Sequence, residues 1–134
     1  MQPSEASATA TSPVITELEG TPTRVLHLRR GGTSVVVDLE AEPTPAIIHW
    51  GAELADSSPE SLASLAVAAR PQRVSGGLDR TAQLTLVSTP AGGWLNTPNL
   101  EGHRDGAGFS ARFDVAGVQA NDHRALLSLS LIHI

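Results

Sequence analysis

Short apolar segments that alternate with turn residues predict a mainly β protein from Val14 onwards. The strand pattern is typical of an antiparallel β-sandwich, and one segment with a helical period adds a single short helix. We place the domain over 14–125, after a disordered leader at 1–13 that is rich in Ser, Ala, Thr and Pro. The predicted strands are 14–18, 23–30, 33–39, 46–50, 82–87 and 108–115.

The hairpin over 24–39 has the clearest pattern. Leucines fall on one face of its first strand and His27 falls on the other, which indicates a half-buried strand. Gly31 and Gly32 follow, and they tolerate the positive φ that a tight turn requires. The β-branched residues after them favour a returning strand.

The stretch around Trp50 combines several unusual residues. It holds one of only two Trp in a chain with no Tyr, and it places Trp50 after His49 and before Gly51. We predict that the strand ends at Trp50 and that Gly51 closes it. A large flat side chain at this position is compatible with covering a core edge or with facing a sugar ring.

A helix is predicted after this strand. Ser58 is a suitable N-cap, Pro59 fits the first helical position, and Glu60 places an acid in the positive first turn. Apolar residues then recur at i, i+3, i+4 and i+7 from Leu62, and Pro71 stops the helix.

Composition excludes several functional classes. The net charge is −5 and the nine basic residues, all Arg, are scattered, so a nucleic-acid partner is not expected. The chain has no Cys, and its longest apolar run is too short for a membrane span. Residues 1–13 lack the features of a secretory signal, and we expect a cytoplasmic protein.

The sequence shows no recognisable catalytic or cofactor motif. The five His residues lack the spacing that places two metal ligands on one helical face, so we expect no metal. Neither a Gly-x-Ser-x-Gly element nor a phosphate-binding glycine loop occurs, and we expect no cofactor. Most acidic residues are interpreted as solvated surface charges.

The segment 91–108 has no periodicity and is interrupted by glycines, which is typical of a functional loop or an interface. It contains Trp94, Asn96, His103 and Arg104, whose side chains can stack on or hydrogen-bond to sugars and neighbouring subunits. A loop whose Trp94 covers its own core is equally compatible with the sequence.

Taken in order, these features resemble the N-terminal domain of bacterial α-galactosidases of glycoside hydrolase family thirty-six, the actinobacterial members in particular. The resemblance covers 25–115, and its most specific parts are His49-Trp50-Gly51 and the loop from Trp94 to Arg104. It implies a galactose-mutarotase-like β-supersandwich. The family's enzymes are several times longer and carry a catalytic (β/α)8 barrel.

The resemblance implies a retaining mechanism for the parent enzyme, in which an Asp nucleophile and an Asp acid/base in the barrel cleave terminal α-galactosides. No residue of this chain matches those two positions, so we expect the chain alone to be inactive. In several family members the N-terminal domain helps form a tetramer and lends residues to the rim of a neighbouring active site. By this resemblance His49, Trp50, Trp94 and Arg104 are candidate rim or interface residues, and a homo-oligomer is expected.

The segment 126–134 departs from the family, because it is apolar and reads like the translated sequencing-adapter tail of some assembled genomic fragments. We therefore expect the chain to be a truncated fragment whose last residues are an artefact. The alternative is a stand-alone β-sandwich that binds carbohydrate or another protein.

Overall fold

The computed structural model describes residues 11–17, 24–77, 81, 83–103, 105–108, 111–121 and 124–132. These residues form two antiparallel sheets and one α-helix, so the prediction of a mainly β, sandwich-like fold is confirmed. The first sheet has the strand order β1-β2-β3-β4 and the second is the hairpin β5-β6. The elements are β1 (Thr11–Glu17), β2 (Arg24–Arg30), β3 (Thr33–Asp38), β4 (Ala46–Ala52), α1 (Pro59–Ala69), a 3₁₀ turn (Pro90–Gly92), β5 (Arg112–Asn121) and β6 (Arg124–Ile132).

The predicted hairpin is confirmed by the pairing of β2 with β3. Its ladder runs from Arg30 opposite Thr33 to Val25 opposite Asp38. The connecting glycines have φ values of 57° and 76°, in the left-handed region that a residue with a Cβ rarely adopts.

The first sheet is covered on both faces. On the helix face, Val25 and Val36 pack against Leu62 and Ala66 of α1. On the opposite face, called the hairpin face here, Leu26, Val37 and Leu39 pack against residues of β5 and β6 that include Val118 and Leu127. The core is therefore aliphatic and divided into two layers by the first sheet.

The prediction that β2 is half-buried was wrong. Val25, Leu26 and His27 are all buried, with His27 only 3% exposed. His27 and Arg29 share one face as predicted, but on that face Val25 packs against α1 and His27 is buried, whereas Arg29 stays partly exposed. A period of two residues identifies opposite faces without revealing that a second element covers the polar one.

The predicted helix is confirmed, and so are the positions of both of its ends. The Ser58 hydroxyl accepts a hydrogen bond from the Ser61 N–H at 3.4 Å, and Pro59 occupies the first turn. At the other end, the Arg70 N–H donates to the Val67 carbonyl, and Pro71 follows. The buried side chains of α1 are Leu62, Ala63 and Ala66.

The predicted strand at 82–87 is wrong for the residues described there. Thr85 makes an isolated bridge with Ala46, and no ladder extends from it. Val87 instead exchanges hydrogen bonds with the Thr44 hydroxyl, which donates to its carbonyl at 2.8 Å and accepts from its N–H at 3.3 Å. The Thr44 side chain therefore satisfies the N–H and the carbonyl of Val87, which in a strand would bond to a neighbouring backbone. For this reason the segment follows an irregular path.

Other strand boundaries also differ from the predictions. The first strand begins at Thr11 instead of Val14, and β4 continues through Gly51 to Ala52 instead of ending at Trp50. The strand predicted at 108–115 appears as β5, which starts at Arg112 and extends to Asn121. Residues 1–10 of the predicted leader lie outside the described residues. The segment predicted as an atypical tail supplies most of β6, and its origin stays a prediction.

Candidate functional site

The candidate site lies on β4, the edge strand of the first sheet. The Glu53 N–H donates to the Gly32 carbonyl at 2.8 Å. This bond determines which residue pairs of β3 and β4 are the hydrogen-bonded ones and which are the non-hydrogen-bonded ones. In an antiparallel ladder this pattern turns the backbone groups of Gly51 towards β3 and those of Trp50 and Ala52 away from it. Among the described residues, no strand pairs with the outward groups of Trp50 and Ala52, so β4 is an edge strand at this point.

A β-bulge sets the directions of the side chains on β4. The register shifts between Val36 and Val37, because Val36 pairs with His49 whereas Val37 pairs with Ile47. The additional residue, Ile48, packs against the helix-side core. The bulge consequently puts Ile47 and Trp50, three residues apart, on the same face of the sheet.

Trp50 is 73% exposed, although it belongs to the hairpin face that carries much of the core. Its cross-strand neighbour is Val35, which is half-buried and packs with Leu26 and Val37. The ring therefore stands at the margin of the core and presents most of its surface to solvent. An exposed indole on a rigid strand can stack on a sugar ring or pack against a second protein surface.

His49 points to the other face. Its Nε2 atom lies 3.0 Å from the Ala52 carbonyl oxygen. A carbonyl only accepts, so Nε2 carries the proton and the imidazole donates this bond. The ring crosses above Gly51, where an added Cβ would lie 3.6 Å from the imidazole Cε1 atom. His49 thus donates to the carbonyl of Ala52, which points outward from the β4 edge, while the Trp50 side chain stays accessible.

A second polar cluster lies under the strand exit. The buried His27 places Nε2 3.0 Å from the Ser34 hydroxyl, which also accepts from the Leu54 N–H at 3.3 Å. Burial lowers the pKa of His27 below its ordinary value, and the positive charge of Arg29 acts in the same direction. Glu53 opposes them by raising it.

The His27–Ser34 pair has a structural role. Ser34 is not placed to act as a nucleophile, since it is completely buried and its hydroxyl already accepts a hydrogen bond from the Leu54 N–H. Sequence reasoning did not single out His27 or Ser34. The available signal was their alternation, because both residues occur on the polar face of the predicted hairpin, and Ser34 lies two residues from Val36, the cross-strand partner of His27.

The second candidate region, around Trp94, is tied to its own loop. The half-buried Trp94 donates its indole N–H to the Thr97 carbonyl at 3.1 Å. Further along, Asn99 is anchored to Ser88: the Ser88 hydroxyl donates to the Asn99 side-chain oxygen at 2.7 Å, and the Asn99 N–H donates to the Ser88 carbonyl at 3.0 Å. The indole N–H of Trp94 is therefore already hydrogen-bonded within its loop, whereas most of the Trp50 side chain is exposed to solvent. Arg104 lies outside the described residues.

In the described part of the chain, no group of three or more His, Asp or Glu side chains is arranged to hold a metal ion. Within the same ranges, no helix is long and apolar enough to cross a bilayer.

Comparison with known proteins adds one relative. Over 90 residues the chain is 36% identical to an enzyme from Escherichia coli. That enzyme is an alpha-galactosidase. The aligned part is 67% of this chain and 12% of the alpha-galactosidase, so the chain spans about an eighth of the curated relative that it matches. No protein-family profile matches the chain, and no solved structure does.

The similarity to an alpha-galactosidase and the mainly β fold together suggest a domain from a glycosidase. The aligned length is that of a single domain, far below that of the whole alpha-galactosidase. The roles of His49, Trp50, Trp94 and Arg104 stay predictions.

Proposed function

We propose that this chain is the N-terminal, non-catalytic domain of a retaining α-galactosidase of glycoside hydrolase family thirty-six. In this proposal a barrel domain elsewhere in the parent enzyme cleaves terminal α-galactosides, and the chain described here contributes a surface to the active-site rim. The similarity to an alpha-galactosidase over 90 residues supports the family, and the sandwich-like fold supports the type of domain.

The arrangement of carboxylates favours a non-catalytic role. Retaining hydrolysis uses two carboxyl groups about 5–5.5 Å apart, one to attack the anomeric carbon and one to protonate the leaving oxygen. Here Asp38 is held by Arg70, Asp56 by Ser61, and Glu53 lies 3.7 Å from Arg29. These three carboxylates are engaged with cations or hydroxyls, and the proposal assigns the catalytic pair to the parent's barrel.

The exposed ring of Trp50 is the observation that carries the rim proposal. A ring that is 73% exposed on an edge strand gains little from its own core, and it offers a flat apolar face to the C–H groups of a sugar. His49 lies on the other side of the sheet and shapes the edge through Ala52. Trp50 is therefore the contact residue of the pair, towards substrate or towards a neighbouring subunit of a tetramer.

The decisive experiment starts from the gene. Reading genomic DNA beyond codon 134 should reveal a continuing frame that encodes a barrel. In the full-length enzyme, Trp50→Ala should raise KM for a chromogenic α-galactoside or weaken the tetramer, with little change in melting temperature. The matched control is Val67→Ala, since Val67 is also exposed, at 59%, and lies on α1, outside both candidate regions.

Three results would contradict the proposal. A stop codon directly after residue 134 with a well-folded product would favour a stand-alone carbohydrate- or protein-binding module. Turnover of the α-galactoside by the isolated chain would show that it carries its own catalytic pair. A Trp50→Ala enzyme that melts early with normal kinetics and assembly would make Trp50 a residue of the core.

A further inference from the structure

A polar cluster on the helix face surrounds the point where the chain leaves β4. His27 on β2 is directly opposite Val36, which is opposite His49, so the two imidazoles flank a valine. One step closer to the exit, Arg29 is opposite Ser34. His27 is 3% exposed and Ser34 is completely buried, so their hydrogen bonds change only if the chain that covers them moves.

The exit of β4 is bonded to this cluster. The Glu53 N–H donates to the Gly32 carbonyl at 2.8 Å, and the Leu54 N–H donates to the Ser34 hydroxyl oxygen at 3.3 Å. The Leu54 side chain packs against the helix-side core. The chain therefore turns out of the sheet at Glu53 and crosses onto the helix face beside Ser34. A segment attached by a few contacts opens at a smaller cost than the whole domain.

The Ser34 hydroxyl is fully hydrogen-bonded in only one protonation state of His27. In the described part of the chain its two partners are the His27 Nε2 atom, at 3.0 Å, and the Leu54 N–H. Because the Leu54 N–H donates, the hydroxyl donates its own proton to Nε2 of a neutral imidazole. An imidazolium has a proton on Nε2, so the hydroxyl proton then loses its acceptor. Protonation thus creates an unsatisfied donor and a charge in a buried site.

The charges around the buried imidazole give an imidazolium one favourable contact. Arg29 on β2 and the partly exposed His49 on β4 disfavour a positive charge there, whereas Glu53 at the exit favours it. Glu53 lies 3.7 Å from Arg29, and its side chain is 47% exposed. The group that attracts the proton therefore belongs to the exit segment itself.

The other elements packed around His27 carry groups that are apolar, paired or exposed in the described structure. On β1, Val14 is opposite His27 and Glu17 pairs with Arg24. On β3 the charged residue is Asp38, which is held by Arg70, and on α1 it is Glu60, which is exposed in the first turn.

We propose that protonation of His27 releases the exit of β4, so that the Trp50 surface is held in place at neutral pH and loosened in mild acid. Every state that hydrates the imidazole gains the same free energy of proton binding, and the state that opens at the least cost is populated first. That state lacks the bonds from Glu53 and Leu54 to β3 and its turn, and it keeps the rest of the sheet. The release belongs to the fold, and its effect on the rim rests on the proposed function.

The test is native-state amide hydrogen exchange on the isotopically labelled 134-residue chain. Between about pH 7.5 and pH 5.5 the protection of the Leu54 amide, corrected for its intrinsic exchange rate, should fall about threefold to tenfold, since opening binds one proton. Low concentrations of urea should leave this exchange unchanged at both pH values. The amide of Val37, in the hairpin-face core, should instead respond to urea, because it exchanges by global unfolding.

Three variants identify the groups involved. His27→Gln should abolish the pH dependence of Leu54 protection, and His49→Gln, which removes the other imidazole of the row, should retain it. Glu53→Gln is an exposed change that keeps the fold. It should lower the pKa of the His27 ring in an NMR titration, because the attraction of the carboxylate is lost.

The proposal is overturned if Leu54 protection is independent of pH, or if it follows urea as Val37 does. It is also overturned if the pH dependence disappears in His49→Gln and persists in His27→Gln. An unchanged pKa of the His27 ring in Glu53→Gln rejects the part assigned to the exit. Failure of the rim proposal leaves these results unaffected, because the exchange experiment requires neither a substrate nor a tetramer.

Discussion

Removing Arg70 should expose how much the fold depends on one ion pair between β3 and α1. Asp38 is completely buried on the helix face, and Arg70 caps the C-terminus of α1. The guanidinium donates from Nε to Oδ2 at 2.8 Å and from Nη2 to Oδ1 at 3.0 Å, a fork that fits the carboxylate in two places. These hydrogen bonds raise the pKa of Arg70 above its ordinary value.

The cost of Arg70→Ala follows from what remains around Asp38. The Glu40 N–H still donates to Oδ1 at 3.0 Å, whereas the bonds from the cation are lost. Removing one partner of a buried ion pair costs about 3–5 kcal/mol. Because the Arg70 side chain is 29% exposed and water can enter where it was, we expect the lower end, about 3 kcal/mol. That is a large fraction of a typical domain's stability.

The assay is urea unfolding followed by circular dichroism, with Arg70→Ala, Asp38→Asn and the double variant compared in a cycle. We expect the coupling energy between the two positions to be about 2 kcal/mol. Arg73→Ala is the matched control, since Arg73 is exposed beyond the helix and should change stability by less than about 0.5 kcal/mol. Equal losses in Arg70→Ala and Arg73→Ala, or a coupling energy near zero, would refute the role assigned to the pair.

Two further predictions concern the core. The lowered pKa of His27 means that the unfolded chain binds a proton at a higher pH, so the free energy of unfolding should be fully present above about pH 6.5 and should fall as the pH drops through the folded-state value. The slope in urea titrations should approach 1.4 kcal/mol per pH unit at most and should flatten in His27→Gln; an identical slope in that variant would contradict it. Gly92→Ala should cost about 1–3 kcal/mol because its Cβ would meet the Pro43 ring, and thermal unfolding should show no such loss for Gly102→Ala, where the space is open. Equal melting temperatures for the two alanine variants would rule out the close approach at Gly92.

The local elements were predictable because their signals are short-range. Gly31 and Gly32 specify a turn through φ, and Ser58 with Pro59 specifies a helix start through a cap and a fixed dihedral. Each signal acts within a few residues and is independent of what packs on it. The strand predicted over 82–87 was wrong because its outcome depends on a distant residue. The segment has the alternation of a strand, but Thr44, more than forty positions away, makes the hydrogen bonds that a neighbouring strand would have made.

The candidate site was predictable by residue type and only partly by geometry. Trp50 and His49 stand out in a chain with few aromatic residues, and the sequence left Trp50 open to either a core or a contact role. The bulge on β4 decides the faces, since it puts Trp50 on the hairpin face, at the margin of the core, and turns His49 to the helix side. A bulge depends on pairing between strands, and the sequence of one strand does not encode it.

By itself, the sequence determined the β class, the central hairpin, the capped helix and the identity of the unusual side chains, because these depend on periodicity and on the dihedral preferences of single residues. Only the tertiary structure decided that His27 on the polar face of β2 is buried, that Asp38 meets Arg70, and that a charged cavity forms between the β3–β4 connection and β5. Each of these features joins residues that are distant in the chain, and packing of the whole core brings them together.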